Sequence, residues 1–158
     1  MMINEHSKSI IYFRDWHAKK MGKRCFYMDT IIWLNCSGIE LGDDVSFNAG
    51  CYVNGYGGLT IGARTGLGPY SIVHTANHIF DDIDRPIKEQ GWVKRTVKIG
   101  RDCWFGAGVV ITPGVTIGDG VVIGAGSVVV KDLPSWTVAV GNPAEVIKYR
   151  RKPSDDPS

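Results

Sequence analysis

Residues 99–130 read IGRDCWFGAGVVITPGVTIGDGVVIGAGSVVV, and the spacing within them decides the fold. A bulky apolar residue returns at every sixth position: Ile99, Phe105, Ile111, Ile117, Ile123 and Val129. Small or β-branched residues stand four places later, at Cys103, Val109, Val115, Val121 and Ser127. Gly, Ala or Pro follows most of the apolar residues within two places. A helix repeats at about 3.6 residues and a strand at about 2, and a period of six fits neither. It fits a chain that turns a corner every six residues. β-Branched residues favour the short strands, and small residues let the backbone bend between them. Three such strands close one triangular coil. Stacked coils bury the repeated aliphatics in one core, each worth roughly 1.5–3 kcal/mol, and share their stability along a solenoid.

The same phase extends upstream. From Leu41 the hexads are LGDDVS, FNAGCY and VNGYGG; Leu59 and Thr60 then read as two extra residues, and IGARTG, LGPYSI and VHTANH follow as far as His78. This phase predicts four coils, over residues 41–58, 61–78, 99–116 and 117–132. Between them lies a charged segment, residues 79–98, IFDDIDRPIKEQGWVKRTVK. Long insertions in a solenoid are loops on one face, often the working one. Residues 1–38 precede the clear repeat and read as a short N-terminal cap segment. Within it, Ile10–Lys20 is expected as a short amphipathic helix ending near Gly22. A cap over the open end is favoured for it over contact with a membrane surface. Phe26–Leu34 reads as strand. Residues 39–150 form the β-helix domain with the loop 79–98, and residues 151–158 read as a flexible tail, frayed from Lys152 onward.

The formal net charge of +2 is too small to argue for nucleic acid. No apolar run reaches the length of a membrane span. The start MMINEHSKS lacks the charged-then-apolar order of a secretory signal, so a cytoplasmic location is expected. The cysteines Cys25, Cys36, Cys51 and Cys103 form no C-x-x-C pair. Cys51 and Cys103 fall at small positions of the repeat and are expected buried.

His78 closes a coil immediately before the charged loop. His74 follows an inward-facing Val73 and reads as structural; His6 and His17 carry no signal. An imidazole before a polar insertion suits general-base work, because its ordinary pKa is close to working pH.

The hexads resemble those of the bacterial hexapeptide-repeat acyltransferases, over about residues 39–150. The resemblance implies an all-β fold, a left-handed parallel β-helix. The hand comes from the resemblance, since the general crossover preference is right-handed. The loop pattern H-x-F-D-D-x-D-R-P-I-x-E-Q-G, from His78 to Gly91, is similar to acetyltransferases of capsule and O-antigen polysaccharides. GNPAEVIKYR resembles the family's G-x-P-A-[KR]-x-[IL] ending, with Glu145 departing from it. The activity implied is transfer of acetyl from acetyl coenzyme A to a sugar hydroxyl, with His78 as base. Xenobiotic O-acetylation and amino-sugar N-acetylation stay open, as does a non-catalytic binding scaffold.

For the acceptor the resemblance points to Asn54 or Asn48, with turn chemistry an equal reading for both. Asp81, Asp82, Asp84 or a backbone carbonyl would orient His78, and Asp82 is the loop carboxylate expected at the acceptor. The N–H of Gly106 or Ala107 would meet the oxyanion. Trp104 would flank the groove, and Lys131, Lys148 and Arg150 would meet the phosphates of coenzyme A. The resemblance also implies a homotrimer with sites between subunits. No metal is expected: a carbonic anhydrase on this fold needs three histidines, and only His74 and His78 lie in the repeat.

Overall fold

The computed structural model describes residues 10–12, as backbone only, and residues 18–150. Its core is a three-sided prism of parallel strands. One face stacks Lys20–Met21, Ile39–Leu41, Leu59–Ile61, Val97–Ile99 and Thr116–Ile117. The second stacks Phe26–Met28, Ser46–Phe47, Gly66–Leu67, Trp104–Phe105, Val122–Ile123 and Thr137–Gly141. The third stacks Ile32–Leu34, Tyr52–Asn54, Ile72–Val73, Val110–Ile111 and Val128–Val129.

The register carries the hexad into space. Leu41 lies opposite Ile61, Ile61 opposite Ile99 and Ile99 opposite Ile117. Phe47, Leu67, Phe105 and Ile123 line up in the same way on the second face. All of these side chains are buried, so the repeated apolar position is the core. The small residues four places on form an inner ladder beside it; Cys103, Val109, Val115, Val121 and Ser127 are buried too. Cys51 and Cys103 are buried as expected, each donating its thiol to a carbonyl 3.2 Å away, that of Gly68 and that of Gly118. Burial pushes the Cys51 thiol up to about 11.

The corner between the first and second faces is built from left-handed residues. Arg24, Asp44, Arg64, Asp102, Gly120 and Trp136 all have φ between 56° and 66°. Because successive coils place these residues one above another, their charges alternate and pair. Arg24 grips Asp44 through two hydrogen bonds, and Arg64 grips Asp102 at 2.6 and 2.8 Å. Asp119, one residue from the ladder, takes Arg101 at 3.1 Å.

The solenoid begins earlier than the hexad phase shows. Strands at 20–21, 26–28 and 32–34 already pair in parallel with the next coil, inside the segment read as a cap. The expected helix over Ile10–Lys20 is not formed where the chain is described. Ile10–Tyr12 is a strand, antiparallel to Phe26–Met28, and Lys20–Met21 is a strand of the first face. Pairing with an open sheet edge satisfies the backbone there, which a short amphipathic pattern does not reveal. Gly22 is a corner rather than a helix end; a side chain on it would collide with the backbone of Gly42. Residues 13–17, with His17, and residues 1–9, with His6, lie outside the described residues, as does the tail 151–158.

Leu59 and Thr60 are not inserted residues but lie in a strand opposite Ile39 and Glu40. The extra length is in the corner Gly55–Gly58, so that Val53 and Ile61 are eight residues apart where Ile111 and Ile117 are six. The four coils of the hexad phase are thus preceded by a further one at 20–34. They are followed by a return to the second face at Thr137–Gly141, which folds back antiparallel as Ala144–Tyr149.

Candidate active site

The corner from the third face to the first carries the longer connections between coils. Asn35–Gly38, Gly55–Gly58 and the long insertion stack there in successive coils. Thr75, fully buried, joins them: its hydroxyl donates to the Asn54 carbonyl at 2.7 Å and accepts the Gly57 N–H at 2.8 Å. The Thr75 carbonyl accepts the Arg95 N–H at 2.9 Å, so the two ends of the insertion meet at one point. From that clamp Ala76–His78 and Trp92–Lys94 leave as an antiparallel arm, with His78 opposite Trp92. Only residues 79–91 form the connecting loop. Gln90 closes it, donating to the carbonyls of Asp82 and Arg85 and accepting the Asp82 N–H.

Antiparallel pairing puts the His78 and Trp92 rings on the same side of the arm. Their centroids are 3.7 Å apart at an interplanar angle of 35°. Tyr56, from the extra-long corner below, meets Trp92 edge-on at 6.4 Å, and the Lys94 ammonium caps the Tyr56 ring at 3.8 Å. Nδ1 of His78 is buried and has no hydrogen-bond partner among the described residues. The nitrogen left to face a ligand is Nε2.

Two cavities adjoin the imidazole. One, of about 480 Å³, is lined by His78, Phe80, Asp81, Arg95, Thr112 and Pro113, among others. The other, of about 320 Å³, lies against His74, His78, Trp92, Val110 and Thr112. His74 stacks on Tyr52 at 5.0 Å, and burial pushes its imidazole below the ordinary value. Sequence reasoning gave His74 a structural place; it also borders the His78 site. Thr112, Pro113 and Arg95 were missed. Thr112 and Pro113 look like any repeat corner in ITPGVT, and only the stacking of coils carries them beneath the insertion. Trp92 did carry a signal, as an aromatic residue in a charged loop.

The other candidate residues divide between corners. Asn54 lies on the His78 corner, but its Oδ1 accepts from Asn35 Nδ2 at 2.9 Å and from the Tyr56 N–H at 3.0 Å, both of them turn contacts. Asp82 Oδ1 accepts the Asp84 N–H at 3.0 Å, and Asp81 borders the larger cavity. Asn48, Gly106 and Ala107 lie on a different corner, between the second and third faces. The Gly106 N–H is already donated to the Ile123 carbonyl at 2.8 Å, so that amide is spent on coil stacking. The Ala107 N–H has no acceptor among the described residues. Gly106 is a packing requirement as well, since a Cβ there would lie 2.6 Å from Ala125 N.

Trp104 is half-exposed on the second face. Lys148 and Arg150 border a groove on that face with Val122, Val138 and Tyr149. Arg150 Nη1 donates to the Gly120 carbonyl at 2.6 Å. Lys131 ends up ion-paired with Glu145, its Nζ 2.8 Å from both carboxylate oxygens. The residue that departs from the family ending thus neutralises one of the expected phosphate cations. Among the described residues no group of three His, Cys, Asp or Glu side chains is placed to hold a metal, and no helix is long and apolar enough to cross a membrane.

A triangular parallel solenoid with a histidine-bearing arm on one edge defines a class of hexapeptide-repeat proteins, and comparison with known proteins agrees. Residues 96–131 match the family described as bacterial transferase hexapeptide (six repeats). Nodulation protein L of Rhizobium leguminosarum bv. viciae is 44% identical over 115 residues, 73% of this chain and 60% of that protein. A maltose O-acetyltransferase from Clostridium difficile 630 is 36% identical, with a TM-score of 0.69 over 85% of this chain and 72% of that one. A hexapeptide-repeat acetyltransferase from Vibrio cholerae, crystallised with acetyl coenzyme A, is 28% identical with a TM-score of 0.75, over 85% of this chain and 73% of that one. The chain therefore belongs to the hexapeptide-repeat acetyltransferase family, and its fold is the left-handed parallel β-helix. It spans less than two thirds of the length of the curated relatives it matches, 38% of one from Mycobacterium tuberculosis.

Proposed function

We propose that the protein transfers the acetyl group of acetyl coenzyme A to a hydroxyl of a sugar, in the building of a surface polysaccharide, with His78 as general base. The observation that carries this reading is the imidazole itself. It is held on a rigid arm against Trp92, with Nδ1 buried and two cavities at its edge. Fixed geometry of this kind lets a base act without reorganising. Nε2 takes the proton of the acceptor hydroxyl, the oxygen attacks the thioester carbon, and the C–S bond breaks. The proton then passes to the departing thiolate. The names of the maltose O-acetyltransferase and of the Vibrio cholerae protein support the sugar acceptor and the acyl donor respectively. The resemblance of the loop to capsule and O-antigen enzymes supports the polysaccharide role.

The donor fits the chain's own surface at the Ala107 corner. Space beside Gly108 and Gly126 is open, with nothing within 4 Å of a Cβ on either. An extended pantetheine arm could lie along them, with the Ala107 N–H available to the developing oxyanion. Lys148 and Arg150 are the cations left for phosphate once Lys131 is engaged by Glu145.

The active form proposed is a homotrimer. Outward-facing residues of the first face are polar: Lys20, Glu40, Thr60, Lys98 and Thr116. Those of the third face are Ile32, Tyr52, Ile72, Val110 and Val128, one continuous apolar ladder. An apolar face of this extent suits a second copy. The His78 edge and the Ala107 edge bound this same face, on opposite sides. A cyclic assembly would bring the His78 edge of one copy to the Ala107 edge of the next and so complete the site.

The test is thiol release from acetyl coenzyme A with a panel of sugars, nucleotide sugars and amino sugars, for wild type and His78→Ala. Sugar-dependent release that disappears in the variant is expected. Release unchanged by the variant would remove His78 as base, and release only with amino sugars would replace the hydroxyl by an amine.

A further inference from the structure

Arg95 is the exception among the arginines. Among the described residues, the guanidinium groups of Arg24, Arg64, Arg85, Arg101 and Arg150 each meet an oxygen acceptor. The guanidinium of Arg95 meets none, and Arg95 lines the cavity of about 480 Å³ that His78 also lines. Its placement is built rather than incidental. The backbone N–H is anchored on the Thr75 carbonyl at 2.9 Å, at the clamp where the insertion closes. Its stem lies over Gly114, whose φ is +91°; a Cβ there would come within 3.2 Å of Arg95 Cδ and 3.3 Å of Arg95 Cβ. A side-chainless residue at that corner thus leaves room for the arginine stem. Phe80 and Pro113 also line the cavity, apolar surface that strengthens a charge-assisted hydrogen bond.

We infer that Arg95 selects an acceptor carrying an anionic group, a carboxylate or a phosphate, whose hydroxyl then lies at His78. This rests on the acetyl-transfer reading above and names its substrate class. The planar guanidinium presents paired N–H donors that match a carboxylate or a phosphate oxygen pair. Asp81 lines the same cavity, and its carboxylate would repel an anion bound beside it. The anion is therefore directed to the Arg95 side, and the neutral hydroxyl face of the ring to His78.

The experiment compares glucose, glucuronate and glucose 1-phosphate, first by calorimetric binding without donor and then by thiol release with acetyl coenzyme A. Wild type, Arg95→Gln and Arg95→Lys are measured at low and high salt. Expected is salt-sensitive binding of one or both anionic sugars in preference to glucose, weakened about 10-fold or more by Arg95→Gln and partly restored by Arg95→Lys. The ratio of kcat/KM for the anionic sugar over glucose should fall by the same factor. Glucuronate against glucose 1-phosphate tells carboxylate from phosphate. Equal binding of neutral and anionic sugars overturns the proposal, as does a variant that raises KM for acetyl coenzyme A while leaving the sugar ratio unchanged. Anion binding through Arg95 without thiol release from any acceptor would sink the acetyl-transfer reading and leave the anion site standing.

Discussion

The imidazole of His78 packs against the indole of Trp92, ring centres 3.7 Å apart and planes tilted by 35°. The two residues are fourteen positions apart in the chain and meet because they are partners across one antiparallel pair. No carboxylate is hydrogen-bonded to the buried Nδ1 among the described residues, so the ring is held by a surface rather than by an acid.

Replacing His78 by Ala should lower acetyl transfer by about 10²–10⁴-fold, the usual contribution of a positioned base. The histidine sits on an arm outside the core, so the unfolding midpoint should stay within the range of a surface change. Binding of acetyl coenzyme A, measured by calorimetry, should persist in the variant.

Trp92→Ala should lower kcat more than it raises KM, because it frees the base while leaving the lining of the larger cavity intact. Trp92→Phe keeps an aromatic face and should recover much of the loss. Steady-state kinetics on the pair decides it; equal losses in both variants would assign Trp92 to something other than ring stacking.

Arg64 beside Asp102 holds that carboxyl below the ordinary value, and Arg24 does the same for Asp44. A lowered folded-state pKa contributes stability above the unfolded carboxylate value, near 4, and loses it as pH falls through the folded value. Asp102→Asn should therefore lower the melting temperature at pH 7. The gap from wild type should narrow below about pH 4, as the wild-type carboxyl also becomes neutral. Thermal melts from pH 2.5 to 7 measure it.

Ile72 lies at the centre of the outward apolar ladder on the third face, between Tyr52 and Val110. Ile72→Lys should convert a trimer to monomers in sedimentation without unfolding the coil, and should abolish activity with it. A wild-type protein that is already monomeric would remove the subunit-edge site.

Phe105 is fully buried in the second-face ladder between Leu67 and Ile123. Phe105→Ala should cost about 3–5 kcal/mol in urea unfolding, the range for emptying a packed aromatic site.

The period of six was enough to locate the core, because a chain that turns a corner every six residues sets Ile99, Phe105 and Ile111 on three successive faces. The place of His78 beside the insertion was legible for a related reason, since it stands where the period stops. The first coil was not legible, because Lys20–Met21 and Ile32–Leu34 are stacked by pairing and not by a visible hexad. The long corner at Gly55–Gly58 shifted the apparent break onto Leu59 and Thr60.

What the sequence by itself determined is therefore the prism, its core and the edge that carries the histidine. Tertiary structure alone decided how that edge is furnished. It placed Trp92 on His78, set Arg95 over Gly114, engaged Lys131 with Glu145 and spent the Gly106 amide on Ile123. Each of these joins residues a coil or a loop apart, and hydrogen bonds and ring contacts depend on register to within a fraction of an ångström. Period alone sets the order of residues around a coil; the stacking of one coil on the next sets which of them touch.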